Sequence, residues 1–132
     1  MAKAREAKEM SFTMPNKAGL LSEVSRAISG ASVNITAICA YAMGDTAYFM
    51  LTTASNVKAK KVLEPWGVLI EERDVVEVEL LNRPGELQKV AKRIADAGID
   101  SEYMYATAGA GKSTTCVFKT ADDKNTIKVI NK

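Results

Sequence analysis

Apolar residues recur along this chain in two alternating rhythms. Met10, Phe12 and Met14 take every second place, with Ser11 and Thr13 between them. A period of two is that of a strand with one buried face. After Asn16-Lys17-Ala18-Gly19 the period lengthens. Leu21, Val24, Ile28 and Ala31 recur at helical spacing and share one face. A hairpin is predicted over 33–43 and 46–53, bent at Gly44-Asp45. A second helix over 56–63 ends at Pro65, which cannot continue it. Val68, Leu69 and Ile70 are expected to form a fourth strand, and Trp66 to plug the core where helix and strand meet.

The same series then repeats. At a displacement of 66 residues, Asn16 falls on Asn82, Gly19 on Gly85, Leu21 on Leu87, Val24 on Val90, Ile28 on Ile94 and Ala31 on Ala97. One extra residue in the later hairpin brings Phe49 onto Cys116 and Leu63 onto Ile130. Two copies of one supersecondary unit explain this register. The second copy runs through a strand at 76–80, a helix stopped by Gly98, strands at 99–107 and 113–119, and a helix at 122–130. No fourth strand follows. A bare sheet edge is therefore expected in the second copy unless residues 2–9 or a partner chain cover it.

This order predicts an α+β fold of two tandem ferredoxin-like βαββαβ sandwiches. Each has an antiparallel sheet with helices on one face, and the second lacks its last strand. The modules are 10–73 and 74–132, with 1–9 as an extension. About sixty residues is marginal for a domain alone, so the modules are expected to pack together.

Composition narrows function mostly by exclusion. The chain has 132 residues, 18 Lys+Arg against 16 Asp+Glu, 47% apolar and 26% charged residues. Those shares are those of a folded globule, and a net charge of +2 does not suggest a polyanion reader. There is no histidine, so Ser-His-Asp triads, Cys-His pairs and imidazole shuttles are excluded. Cys39 and Cys116 form no CxxC and read as reduced, buried thiols; a disulfide between them stays open. No cofactor, metal site or catalytic residue is expected. No apolar run is long enough to span a membrane, and the first nine residues carry no apolar signal core. A cytoplasmic protein is expected, with no membrane and no nucleic acid among its partners.

The turn after each first strand carries the candidate chemistry. It opens a helix, whose first N–H groups lack intrahelical acceptors and whose dipole favours negative charge. Gly19 and Gly85 let a ligand approach the backbone. Asn16 and Asn82 each offer a donor and an acceptor, which suits an amino-acid head group. The competing reading is a simple turn and cap. Gly109-Ala110-Gly111-Lys112-Ser113-Thr114 ends like a phosphate-binding loop, but Ala106 stands where the pattern needs glycine and a strand follows where it needs a helix. RNA recognition on this fold needs aromatics on one face of the central strands. Adjacent Tyr48 and Phe49 point to opposite faces. Tyr41, Tyr103 and Tyr105 fall on second strands, where they line a pocket at the module interface or, at least as readily, pack on the sheet.

The strand, then Asn82-Arg83-Pro84-Gly85-Glu86-Leu87, a helix, and Gly98-Ile99-Asp100 resemble the opening of an ACT domain. Asn16-Lys17-Ala18-Gly19-Leu20-Leu21 and Val33-Asn34-Ile35 give a looser version. The resemblance covers 10–132 as a tandem pair. It implies a ferredoxin-like, non-catalytic sensor of an amino acid or related small carboxylate, controlling an amino-acid biosynthetic enzyme. The binding set it implies is Asn16, Ala18, Gly19, Leu20, Asn34, Asn82, Pro84, Gly85, Glu86 and Asp100. The first turn would face Asp100 and the second Asn34. Met14 and Leu80 stand where serine-sensing relatives can carry a histidine, which weakens a serine assignment and favours a more apolar ligand or another effector. The alternative is an interaction module that binds no ligand and assembles through its exposed sheet edge. A homodimer fits either reading.

Overall fold

The computed structural model describes residues 2–107 and 110–132. The elements are β1 (Lys3–Pro15), α1 (Leu20–Gly30), β2 (Ile35–Met43), β3 (Thr46–Thr53), α2 (Asn56–Leu63), a 3-10 turn (Glu64–Trp66), β4 (Glu71–Leu81), α3 (Glu86–Asp96), β5 (Ser101–Thr107), β6 (Ser113–Thr120) and α4 (Asp123–Asn131). The fold is α+β, with six strands and four α-helices among the described residues, in ferredoxin-like order. The chain divides into two compact units, Lys8–Arg73 and Met1–Ala7 with Asp74–Lys132.

In the 8–73 unit the strand order is β2-β3-β1-β4. Antiparallel register sets Phe12 opposite Phe49 and Met14 opposite Ala47, while β2 sets Ala40 opposite Phe49 and Ala42 opposite Ala47. Cross-strand partners share a face, so Phe12 and Phe49 stack with ring centroids 5.0 Å apart. Met10, Leu51, Val24, Ile28, Ala59 and Leu63 complete this core. Ser55 caps α2, its Oγ accepting from Lys58 N at 3.3 Å.

Three local expectations are corrected here. Leu20, not Leu21, faces inward with Val24 and Ile28, and Leu21 is exposed. Both residues are apolar, so periodicity alone could not choose between them. Trp66 does not plug the core. It is 42% exposed, because the 3-10 turn behind Pro65 carries it outward until Gly67, at φ 74, ends the turn. Val68–Ile70 are not strand. The fourth strand begins at Glu71, although Val68 and Ile70 still pack on the core and Leu69 is exposed. The acidic stretch is accommodated because Lys60 pairs with Glu72 at 3.2 Å.

In the other unit the order is β1-β4-β6-β5. Its fourth strand comes from the beginning of the chain, since Lys3–Ala7 of β1 belongs to it. Of the two covers considered for this edge, the N-terminal residues occupy it. Ala4 is buried with Val76, Val78, Leu80, Val90, Ile94, Cys116, Phe118 and Ile130. The Asn131 carboxamide clasps the strand: Ala4 N donates to Oδ1 at 2.7 Å, and Nδ2 donates to Ala4 O at 2.8 Å. Arg5 pairs with the buried Glu77 carboxylate. Asp122 caps α4 by accepting from Asn125 N at 3.1 Å, and Arg93 Nη1 donates to the carbonyls of Val129, Ile130 and Lys132 near that helix's end.

Candidate functional site

The two predicted turns have closely matched backbones. Gly19 (φ 82) and Gly85 (φ 86) are left-handed and precede their helices without a side-chain cap. A side chain is strained at that φ, which is why glycine stands at both places. Asn16 N donates to Asp45 O at 2.7 Å, and Asn82 N to Lys112 O at 2.9 Å. Each turn is thereby fixed against the hairpin of its own unit. The first-turn amides of α1 and α3 are not covered by a capping side chain, so both sites are suited to an acceptor-bearing group.

The side chains around the turns differ. Asn82 Nδ2 donates to Gly111 O at 3.1 Å. The Asn16 carboxamide has no hydrogen-bond partner among the described residues. Beside the first turn lies a pocket of about 270 Å³. Its polar rim is Asn16, Lys17 and Gly19; its floor is Leu20, Ala47 and Phe49; its walls are Leu21 and the β2 stretch Ala40–Ala42. Lys17 Nζ sits 3.1 Å from Glu23 Oε2. Of the predicted set, this pocket gathers Asn16, Gly19 and Leu20. Ala18 is an exposed turn residue outside it.

The second turn borders a cleft of about 230 Å³ lined by Ala2, Leu80, Leu81, Arg83, Glu86, Lys89, Val90, Arg93 and Ile130. It contains Glu86 but not Asn82, Pro84 or Gly85. Glu86 occupies the inward helix position that Leu20 has in the first unit and is 7% exposed. Lys89 Nζ at 3.1 Å and Arg83 Nε at 3.3 Å neutralise it. The hydrogen bond from Lys89, opposed by burial and aided by the charges of Lys89 and Arg83, lowers its pKa below the ordinary 4.5. A depressed carboxylate pKa stabilises the fold above its ordinary value, and that contribution is lost as pH falls through the folded value. Glu86→Gln is therefore expected to flatten the acid side of a pH–Tm profile below about pH 4.5. Identical acid limbs for both proteins would contradict the assignment.

Asn34 and Asp100 occupy equivalent places. Asn34 O accepts from Ala54 N and Asp100 O from Ala121 N, both at 2.9 Å. In the first unit Pro15 pairs with Thr46 at the turn end of β3, while Ile35 pairs with Thr53 at the other. Those seven residue steps span roughly 23 Å. A unit's own turn and its own Asn34 or Asp100 therefore lie at opposite ends of its sheet and do not share a pocket.

Sequence reasoning missed the walls Ala40 and Ala42 and the floor residue Ala47. The signal was available as small residues facing one another across a hairpin beside Phe49. The Tyr41 ring packs on the sheet, stacking on Tyr48 at 5.1 Å, while the residue borders this pocket. Lys112 and Ser113 lead into β6, not a helix, so no phosphate-binding loop forms there; Gly109 of that motif lies outside the described residues. Cys39 and Cys116 are free thiols, and burial pushes the Cys116 pKa up. No group of metal-ligating side chains occurs among the described residues, and no helix there is long and apolar enough to cross a membrane.

A repeated ferredoxin-like unit with a left-handed glycine before its first helix, in one copy beside a small pocket, defines a two-unit α+β protein. The chain matches the family model described as an ACT domain pair over residues 6–132 and belongs to that family. It is similar to a Bacteroides thetaiotaomicron protein of known crystal structure, at 28% identity over 97% of this chain and 88% of that one, with a TM-score of 0.85. It also shares its fold with the regulatory subunit of aspartate kinase from Thermus thermophilus, at 15% identity over 98% and 94% of the two chains and a TM-score of 0.69. The aspartokinase alpha and beta subunit structure gives 15% identity over 98% and 94%, with a TM-score of 0.68. No curated protein matches the sequence.

Proposed function

We propose that this protein is a non-catalytic regulatory sensor that binds an amino acid at the first β-strand-to-helix turn and modulates another protein. The observation that carries the reading is the pocket beside that turn, with Asn16, Lys17 and Gly19 at its rim. Its size, about 270 Å³, lies below the range of drug-sized pockets and suits a smaller molecule. Membership in the ACT domain pair family supports the same reading. The modules are taken as 10–73 and 74–132. The partner class, an amino-acid biosynthetic enzyme, follows by analogy of fold with the aspartate kinase regulatory subunit.

Isothermal titration of the purified protein against the twenty amino acids tests the reading. Saturable heat with at least one of them is expected, weakened by Asn16→Ala. No heat with any of the twenty overturns it. The second reading, an interaction module, draws on exposed Tyr41 and Met43 at the end of β2, which is an edge strand. Under that reading Asn16→Ala leaves every property unchanged, while substitutions on β2 alter oligomer size.

A further inference from the structure

The two modules have the same backbone at their turns but not the same chemistry around them. We infer that the protein binds one amino acid per chain, in the first module only, and that this ligand has an uncharged branched or aromatic side chain. The inference rests on the sensor reading above and adds the ligand class, the stoichiometry and the residues that select.

The first pocket has an apolar floor. Leu20, Ala47 and Phe49 are all buried. Its volume exists because Ala40 and Ala42 of β2 stand opposite Phe49 and Ala47 of β3. Side chains on cross-strand partners share a face, and three of these four are single methyl groups. A longer side chain at Ala42 or Ala47 would occupy the space the ligand needs. Leu21, 54% exposed, supplies further apolar wall that a ligand side chain would remove from water. No ionised side chain lies at the floor, so a ligand carrying a second charge would be desolvated there without a partner. The polar groups sit at the rim, where the uncapped first-turn N–H groups of α1 can meet a carboxylate and the Asn16 carboxamide can accept from an ammonium group.

In the second module two of the three floor positions have become polar, and the third has lost its aromatic ring. Glu86 replaces Leu20, Thr114 replaces Ala47 and Cys116 replaces Phe49. Glu86 is held by Arg83 and Lys89, and Asn82 Nδ2 donates to Gly111 O. An apolar side chain entering there would meet the buried Glu86 carboxylate and its two cationic partners, and the Asn82 carboxamide is turned toward Gly111 O. The second turn therefore keeps the architecture without the apolar receptor.

The test is calorimetric titration of the full chain with L-leucine, L-phenylalanine, L-serine, L-aspartate and L-lysine. L-Leucine or L-phenylalanine is expected to bind at one per chain and at least about tenfold more tightly than the other three, the scale on which apolar pockets discriminate. Ala42→Leu, at an exposed position, is expected to weaken that binding by about tenfold or more with an unchanged circular dichroism spectrum. Ala47→Thr, which installs the second module's residue, is expected to weaken it as well. Preference for serine, aspartate or lysine overturns the inference and leaves the sensor reading standing. So does binding at two per chain, or wild-type affinity in a folded Ala42→Leu protein. Silence with all five, extended to the remaining amino acids, removes the sensor reading and this inference with it.

Discussion

Deleting residues 1–7 is expected to unfold the part of the chain formed by 74–132 while residues 8–73 stay folded. The segment supplies the fourth strand of that unit, puts Ala4 into its core and brings Arg5 to the buried Glu77. Without it, the edge of β4 is bare and Glu77 loses its cation; an unpaired buried carboxylate is strongly destabilising. Amide exchange at Val76, Val78 and Phe118 should become fast, while Val24, Ile28 and Leu51 keep their protection. The single change Asn131→Ala removes both hydrogen bonds to Ala4 and leaves that residue's N–H and C=O without partners. It is expected to cost about 1–3 kcal/mol, the ordinary net worth of two hydrogen bonds, here part-buried. Unchanged protection in the deletion variant, or an Asn131→Ala protein as stable as its parent, would contradict this role for the N-terminal strand.

Phe49→Ala is expected to destabilise the 8–73 unit by about 3–5 kcal/mol, as for other buried phenylalanines truncated to alanine. Phe49 is 2% exposed, stacks on Phe12 and forms part of the pocket floor. For a domain of ordinary stability this is a large fraction of the total. Urea denaturation followed by Trp66, the single tryptophan, reads the unit in which the change lies. A double-mutant cycle with Phe12→Ala should return about 0.5–1.5 kcal/mol of coupling beyond area burial, the usual scale for paired rings. A loss below about 1 kcal/mol would mean that the pocket floor is not part of the packed core.

The fold was legible where a rhythm in the sequence recorded one buried face. Met10, Phe12 and Met14, and their counterparts Val76, Val78 and Leu80, located the central strands in this way. The turns were legible because glycine and asparagine have specific backbone roles there, and because they occur twice. Other features left a weaker trace. Leu20 and Leu21 are equally apolar, so the helix face was uncertain by one position. Glu86 faces inward because Arg83 and Lys89 neutralise it, and a hydropathy pattern has no term for that pairing. The first half of β1 alternates only Ala4 against charged neighbours, a pattern that reads as a solvated tail until the clasp with Asn131 is seen. The pocket was hardest to anticipate. It is made by the shortness of Ala40, Ala42 and Ala47, and a missing volume has no hydropathy signature.

The central claim is that the first turn and the hairpin beside it form the ligand site. The most direct measurement is a two-dimensional amide NMR titration of the full chain with L-leucine. Saturable shifts are predicted at residues 16–23 and 40–49, with residues 82–93 unmoved. Shifts centred on residues 82–93, or none anywhere with any amino acid, would contradict it.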